Sequence, residues 1–206
     1  MVADNKDGAT NQSADASNSI LIRPFVQDDL ETVKDLFTSY YEWLNLDLKF
    51  QDYQAEFSNL PGKYASDRGG SLLLAFACLQ GQTLEPVGCL AMRRLNITGD
   101  IQSSIRNHLE TLGVKQSSPV NEATKCCELK RFFVTPSARG IKIGNSLIMA
   151  TLQEAKKQGY EYAFLDTLVD RMQGACTLYE RFGFQQSMPY YQTPLADQTF
   201  FYVKRL

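Results

Sequence analysis

A strand that runs through a glycine-containing turn directly into a helix is the feature that most limits how this chain can fold. Residues 127–134 are rich in apolar and β-forming side chains, residues 135–137 are typical of a turn, and a helical pattern begins at Ile143. Gly140 and Gly144 lie in the connection. Since the first amides of a helix lack intrahelical partners and lie at the positive end of its dipole, this connection is typical of an anion site.

Two basic residues, Arg139 and Lys142, add positive charge to this connection, and its glycines permit a close approach of the backbone to a ligand. The helix from Ile143 carries apolar residues on one side, so it can pack on a sheet while its first turn faces a pyrophosphate. A capped turn without a ligand is the alternative interpretation of the same residues.

The rest of the chain indicates one domain over residues 19–206 that follows a disordered tail over 1–18. Strands and helices alternate, which predicts an α/β fold with a mixed sheet. The predicted strands are a short one from 19, the hairpin 70–78 and 86–95 around 80–82, and 127–134, 160–168 and 199–204. The predicted helices begin near Leu30, within 41–64, at Ile143 and at 171–182. Residues 96–125 are polar and are expected to form an insertion or long loop, with weak helical spacing at Ile101, Ile105, Leu109 and Leu112.

Bulk composition narrows the functional classes. A chain of 206 residues fits one domain, and its net charge of -2 argues against a nucleic-acid partner. The longest apolar run, 71–79, is too short for a membrane span, and the N-terminus lacks a signal-type apolar core, so we expect a cytoplasmic protein without a membrane partner. Five cysteines, two of them adjacent, are expected to be reduced thiols with no metal site.

A second segment, Ala175-Cys-Thr-Leu-Tyr-Glu-Arg-Phe-Gly-Phe184, follows the first at a characteristic distance. Together the two resemble the GCN5-related N-acetyltransferases (the GNAT family), over essentially all of 20–206. Arg139 matches the first position of that family's phosphate-loop pattern and Gly144 the last, whereas Lys142 stands where a glycine is usual. Met172 stands where many relatives carry an asparagine that contacts coenzyme A.

The resemblance implies the acyl-CoA N-acyltransferase fold, with about seven strands, helices on both faces of the sheet, and two splayed central strands. It implies acetyl-CoA as the co-substrate and no metal. Phe132, Phe133 and Val134 are then expected to line the pantetheine arm, which pairs with the strand edge. The pyrophosphate is expected to bind Arg139, Gly140, Ile141, Lys142, Ile143, Gly144, Asn145 and Ser146.

Two residues are predicted to be catalytic. The resemblance places Tyr179 as the acid that protonates the departing thiolate, and the alternative is a core tyrosine on an amphipathic helix. Glu128, at the start of the central strand, is predicted to be the general base, and the alternative is a glutamate ion-paired with Lys130 or Arg131. Strand alternation would place Glu128, Lys130 and Phe132 on one side of the sheet and Leu129, Arg131 and Phe133 on the other, and a bulge would shift this assignment.

The acceptor is predicted to be a primary amine of a small molecule or peptide, attacked directly in a ternary complex. Asp166 is expected to orient the amine or to cap the following segment. Tyr41 and Tyr190 are expected to be pocket walls, within an aromatic group that also contains Tyr40, Trp43, Phe50 and Tyr191, and the alternative is core packing. His108 lies in no hydrolase pattern. A catalytically silent acyl-CoA-binding or regulatory protein is the alternative function, and a homodimer is compatible with the sequence.

Overall fold

A single mixed β-sheet organises the protein. The computed structural model describes residues 19–44, 53–79, 83–113, 120–168 and 173–206. The strands are β1 (Ile20–Pro24), β2 (Ser71–Cys78), β3 (Leu84–Leu95), β4 (Cys126–Val134), β5 (Tyr162–Leu168), β6 (Gln185–Ser187) and β7 (Thr199–Arg205). Their order across the sheet is β1-β2-β3-β4-β5-β7-β6, and β4 pairs with β5 in parallel whereas the other neighbours pair antiparallel. The predicted mixed sheet of about seven strands is confirmed.

Helices cover both faces of the sheet, as predicted. They are α1 (Leu30–Leu44), α2 (Tyr53–Ser58), α3 (Gly99–Thr111), α4 (Ile143–Lys157) and α5 (Gln173–Arg181). Helices α4 and α5 pack on one side, here called the α4 face, where their apolar residues join Leu90, Cys127 and Leu129 of the strands. Helices α1 and α3 pack on the other side, the α1 face. Helix α2 bonds to the α1 face through Glu56.

The apolar spacing of each helix explains which side it buries. Helix α4 buries Ile143, Leu147, Ile148, Leu152 and Ala155, which recur at intervals of three or four. Burying one such aliphatic side chain stabilises the fold by about 1.5–3 kcal/mol. Gly159 ends this region at a φ of 78°, a left-handed conformation that follows many helix ends.

Residues 96–125, expected to form an insertion or long loop, contain helix α3 over 99–111, so a loop does not describe that part. The helix begins where the Thr98 hydroxyl accepts a hydrogen bond from the Ile101 amide at 3.3 Å. Ile101, Ile105 and Leu109 are buried against strands β5 and β7. Their spacing of four residues was visible in the sequence, so the polar residues on the outer side of α3 hid a core helix.

A β-bulge interrupts β4. Lys130 lies opposite Ala91 of β3 and Phe133 lies opposite Cys89, so one residue of β3 faces two of β4. Arg131 adopts a φ of 58°, which is uncommon for a residue other than glycine. The structure therefore follows the bulged alternative, and strict alternation ends at Lys130. Phe132 packs on the α4 face, whereas Lys130 and Arg131 both contact groups on the α1 face.

The other predicted elements differ mainly at their ends. The hairpin of β2 and β3 is confirmed, and its loop at 80–82 lies outside the described residues, as does the 1–18 segment. The helical prediction for 41–64 corresponds to the end of α1 and to α2, with residues 45–52 not described. Strand β5 begins at Tyr162 rather than at 160, and the short strand β6 was not predicted.

Candidate active site

Strands β4 and β5 part in the middle of the sheet, as the family resemblance implies. Their parallel pairing ends at Leu129 and Leu165. Beyond that point β4 continues along β3 to Val134, while β5 continues along β7 to Leu168. Backbone groups on the β5 side of residues 130–134 therefore face an opening between two strands, which we call the slot.

A cavity of about 500 Å³ lies on the α4 face at the end of β4. It is lined by Trp43, Phe132, Phe133, Val134, Ala138, Arg139, Gly140, Lys142, Ile143, Gly144, Asn145, Gly174, Ala175, Leu178 and Arg181. The structure thus brings together nine of the residues predicted to contact acetyl-CoA. Ile141 and Ser146 lie outside this lining, since Ile141 packs against the core and the Ser146 hydroxyl donates to the Lys142 carbonyl at 3.4 Å.

The turn before α4 presents free backbone donors to this cavity. The Ser146 amide makes the first intrahelical bond, to the Lys142 carbonyl at 3.1 Å, so the amides of residues 143–145 precede the helix ladder. Lys142 caps the helix at a φ of 69°, and Gly140 has a φ of 87°. Lys142 therefore adopts the left-handed conformation that a glycine takes most readily, at the position where the family pattern has a glycine.

Gly144 permits close packing at the base of the cavity. A β-carbon at this position would lie 3.0 Å from Cζ of Phe132 and 3.2 Å from Cδ2 of Leu178. Strand β4, helix α4 and helix α5 therefore meet where the first turn of α4 borders the cavity. A larger side chain here would displace one of these neighbours.

Trp43 and Arg139 span one end of the cavity. The Arg139 guanidinium lies 4.7 Å from the centroid of the Trp43 ring, and its Nε donates to the Val134 carbonyl at 3.2 Å. Trp43 also contacts the Phe133 ring, at a centroid distance of 6.4 Å. Trp43 was expected among the walls of an acceptor pocket, but the structure places it in the lining of the cavity on the α4 face.

A smaller space of about 30 Å³ occupies the slot itself. It is lined by Tyr40, Leu129, Lys130, Arg131, Phe132, Asp166 and Tyr179, which come from both faces of the sheet. Tyr179 is 4% exposed, and burial raises the pKa of its phenol well above the usual value. The Tyr179 hydroxyl therefore stays protonated over the physiological range and can donate a proton.

Glu128 does not line the slot, and the geometry does not fit the predicted role as general base. Its side chain is fully buried, its Oε2 accepts from Nε of Arg93 at 2.6 Å, and its Oε1 accepts from the Tyr190 hydroxyl at 2.9 Å. Burial alone would raise the pKa of Glu128, but the charges of Lys130 and Arg93 and these hydrogen bonds outweigh burial and hold the pKa below its usual value. The ion-paired alternative describes this glutamate.

The residues predicted to contact the acceptor lie in different parts of the structure. Asp166 lines the slot, where its Oδ1 accepts from Nζ of Lys130 at 2.5 Å. Tyr41 is half-buried, with its ring 5.3 Å from the Arg131 guanidinium. Tyr190 is 3% exposed, packs edge-on against Phe164 and donates to Glu128, so it lies in the core as the alternative interpretation has it. Phe50 lies outside the described residues.

A second ion-pair network lies beside the slot and was not predicted. Nε and Nη2 of Arg131 donate to Oε1 and Oε2 of Glu56 at 2.7 and 3.0 Å. Lys63 also pairs with Glu56, and the Tyr64 hydroxyl donates to it at 3.1 Å. Seventy-five positions separate Glu56 from Arg131, and the bulge that turns Arg131 toward α2 has no sequence signature. The spacing of these residues in the sequence therefore did not indicate the Glu56–Arg131 ion pair.

The described residues contain neither a metal-ligating cluster nor a membrane-spanning helix. In residues 19–44, 53–79, 83–113, 120–168 and 173–206, no group of three or more histidine, cysteine, aspartate or glutamate residues is arranged to hold a metal ion. Within the same ranges, no helix has the length and apolar character needed to cross a membrane.

Comparison with known proteins supplies a family for this site. The profile of the acetyltransferase (GNAT) family matches residues 30–184. An uncharacterized N-acetyltransferase of Dictyostelium discoideum is 33% identical over 86% of this chain and 95% of its own length. One from Schizosaccharomyces pombe is 31% identical over 82% and 84%. The structure of Arabidopsis thaliana NAA60 in complex with acetyl-CoA is similar at a TM-score of 0.60, with 15% identity over 91% of this chain and 99% of that one. The chain belongs to the acetyltransferase (GNAT) family.

Proposed function

We propose that this protein transfers the acetyl group of acetyl-CoA to a primary amine of a small molecule or peptide, by direct attack within a ternary complex. The observation that carries the proposal is the slot between β4 and β5. It connects the cavity on the α4 face, through Phe132, to a space that Asp166 and Tyr40 line from the α1 face. A donor and an acceptor that enter from opposite faces would meet beside Tyr179.

The cavity fits acetyl-CoA in size and chemistry. A volume of about 500 Å³ is in the range of small-molecule sites. The free amides of residues 143–145 and the charges of Arg139 and Lys142 suit a pyrophosphate, and the unpaired edge of residues 132–134 suits the pantetheine arm. When bound, acetyl-CoA supplies an acetyl thioester that an amine can attack.

Tyr179 and Asp166 are the proposed functional side chains at the slot. The Tyr179 hydroxyl keeps its proton because it is buried, so it serves as the acid that protonates the leaving sulfur. The Asp166 carboxylate holds Lys130 through Oδ1 and also hydrogen-bonds Tyr191, so it is fixed at the slot, where it orients the incoming amine. Glu128 is a positioning residue, since it anchors Arg93 and lies 3.5 Å from Nζ of Lys130.

Thermal unfolding with and without acetyl-CoA tests the donor half of this proposal, because a ligand that binds only the native state raises the apparent stability. We expect a concentration-dependent rise in Tm, followed by release of free thiol when a panel of small amines and short peptides is added. A rise in Tm without thiol release from any amine supports the acyl-CoA-binding alternative. An unchanged Tm at millimolar acetyl-CoA would contradict the proposal.

A further inference from the structure

A depression of about 310 Å³ lies on the far side of the Glu56–Arg131 ion pair from the slot. Helix α2 and the turns after it form its lining, which contains Glu56, Asn59, Lys63 and Arg68. Arg131 borders the slot and Glu56 borders the depression, so one pair of side chains separates the two spaces. We call this the basic depression.

Positive charge exceeds negative charge in the two ion-pair networks around the slot and the basic depression taken together. Within the described residues, the cations are Arg93, Lys130, Arg131 and Lys63, and the carboxylates are Glu56, Glu128 and Asp166. Arg68 adds a further cation to the lining of the depression, whereas its exposed neighbour Asp67 does not line it. This local excess of cations occurs in a chain whose net charge is -2.

The unmatched charge lies at the depression rather than in the slot. Lys130 faces two carboxylates, Glu128 and Asp166, and its side chain is 12% exposed. Lys63 shares Glu56 with Arg131, and its side chain remains 38% exposed. Burial lowers the pKa of Lys63, Glu56 partly offsets this, and repulsion from Arg93 and Arg131 lowers it further. An anion bound here would relieve that repulsion.

We propose that the acceptor amine carries an anionic group, a carboxylate or a phosphate, that binds in the basic depression between Lys63 and Arg68. This inference rests on the proposed function, because it names the class of acceptor for the same slot. The anion lies beyond the Glu56–Arg131 pair, so a spacer several bonds long joins it to the reacting amine. Lys63 and Arg68 are specificity-determining residues that act on substrate binding rather than on the chemical step.

Matched pairs of amines test the charge requirement. The first set compares four amino acids with their carboxamides: glycine, β-alanine, 4-aminobutyrate and 6-aminohexanoate. The second set compares tripeptides that carry glutamate at the second or third position with their glutamine versions. The third compares O-phosphoethanolamine with ethanolamine. We expect kcat/KM to be about tenfold higher for the anionic member of the preferred pair, as for a charge-assisted hydrogen bond. Preference for O-phosphoethanolamine identifies phosphate, and preference for an amino acid or peptide identifies carboxylate.

Two variants locate the effect. Lys63→Gln is expected to lower kcat/KM for the anionic member about tenfold, mainly through KM, and to change that for the neutral member less than twofold. Arg68→Gln, at an exposed position, is expected to lower kcat/KM for the anionic member about threefold. Lys34→Gln and Arg106→Gln are the matched controls, since Lys34 pairs with Glu31 on α1 and Arg106 is exposed on α3.

Three outcomes would overturn the inference. Equal use of the charged and neutral members by the wild-type protein would remove the charge requirement, and equal effects of Lys63→Gln on both members would remove the site. If neutral amines alone are acetylated, the proposed transferase activity stands and the anionic class is wrong. A protein that shows no Tm rise with acetyl-CoA and acetylates no amine fails at the proposed function itself, which separates the two failures.

Discussion

The two faces of the sheet border the same slot with different kinds of chemical group. On the α4 face the cavity is lined mainly by apolar side chains, glycines and the free amides of a helix N-terminus, with Arg139, Lys142 and Arg181 as its cations. On the α1 face, buried ion pairs join β3, β4, β5 and α2. Backbone donors suit a ligand of constant structure, because they depend little on side-chain identity. Charged side chains suit a ligand that must be distinguished from others.

The two faces also differ in how their polar groups affect the stability of the fold. Burying a charge costs several kcal/mol unless partners and hydrogen bonds offset it, so the α1 face depends on complete pairing. The backbone of the α4 face needs no such compensation while its amides face the cavity. The α1 face should therefore lose stability when one partner is removed, and the α4 face should lose ligand affinity.

Glu128→Gln provides the largest test of this contrast. The substitution leaves Arg93 and Lys130 without their shared carboxylate, so we expect the free energy of unfolding to fall by about 3–5 kcal/mol in urea denaturation. Because the pKa of Glu128 is lowered in the folded protein, its contribution is present above its unfolded pKa and is lost as pH falls through the folded one. Glu31→Gln, in an exposed pair, should change stability by less than about 0.5 kcal/mol. Similar losses in the free energy of unfolding for both variants would contradict the conclusion that the α1 face depends on complete pairing.

Tyr179→Phe tests the slot, where the faces meet. It removes the phenolic proton and keeps the ring, so we expect kcat to fall about 100-fold while the acetyl-CoA dissociation constant stays within about twofold. The pKa of this phenol is raised, so the wild-type enzyme should not lose activity through Tyr179 ionisation below pH 10. Tyr202→Phe removes a phenol from the same aromatic cluster without touching the slot lining and is the control. An unchanged kcat in Tyr179→Phe excludes the acid role.

Gly144→Val tests the α4 face. The new side chain must displace Phe132 or Leu178, so we expect acetyl-CoA to bind about tenfold more weakly, on the order of the cost of mild overpacking. Trp43 is the single tryptophan and lines the cavity, so its fluorescence reports the titration. Gly99→Val is the matched control, because Gly99 begins α3 with no atom within 4 Å of an added β-carbon. Wild-type affinity in Gly144→Val would contradict the proposal that acetyl-CoA binds at the first turn of α4.

Lys142→Gly and Lys142→Ala give the smallest expected effect. Glycine tolerates the φ of 69° and alanine does not, so the glycine variant should be more stable by about 1 kcal/mol in urea denaturation. Both variants lose the lysine charge, which isolates the backbone contribution. Equal stability would show that this residue leaves the left-handed conformation when its side chain is shortened, and that loop geometry depends on the lysine itself.

Sequence reasoning predicted the α4 face well because its chemistry is local. The strand, the glycines and the first turn of α4 are consecutive, so the spacing of Gly140, Gly144 and Ile143 contains most of the geometry. Nine of the eleven residues predicted to contact the donor line the cavity. The two exceptions are Ile141 and Ser146, and Trp43 was not predicted to line this cavity, since its contact with Arg139 joins positions 96 residues apart.

The α1 face was predicted poorly because its contacts are distant in sequence. Glu128 was predicted as a base from its place on the strand, but its role depends on Arg93 and Tyr190, which come from two other elements. Tyr190 looked like a pocket wall because aromatic clusters in pockets and in cores share the same composition. Helix α3 was missed since its polar outer side lowered the apparent amphipathicity.

The bulge in β4 makes the length of this strand as important as its residues. With the extra residue, Leu129 and Phe132 lie on the α4 face, and Lys130 and Arg131 both lie on the α1 face. A regular strand of the same residues, without the bulge, would instead carry Phe133 to the α4 face and turn Phe132 and Val134 toward the ion pairs. The bulge therefore decides which side chains border the slot from each face, and deleting Arg131 should remove its ion pair with Glu56 while Phe132 and Phe133 keep their present faces.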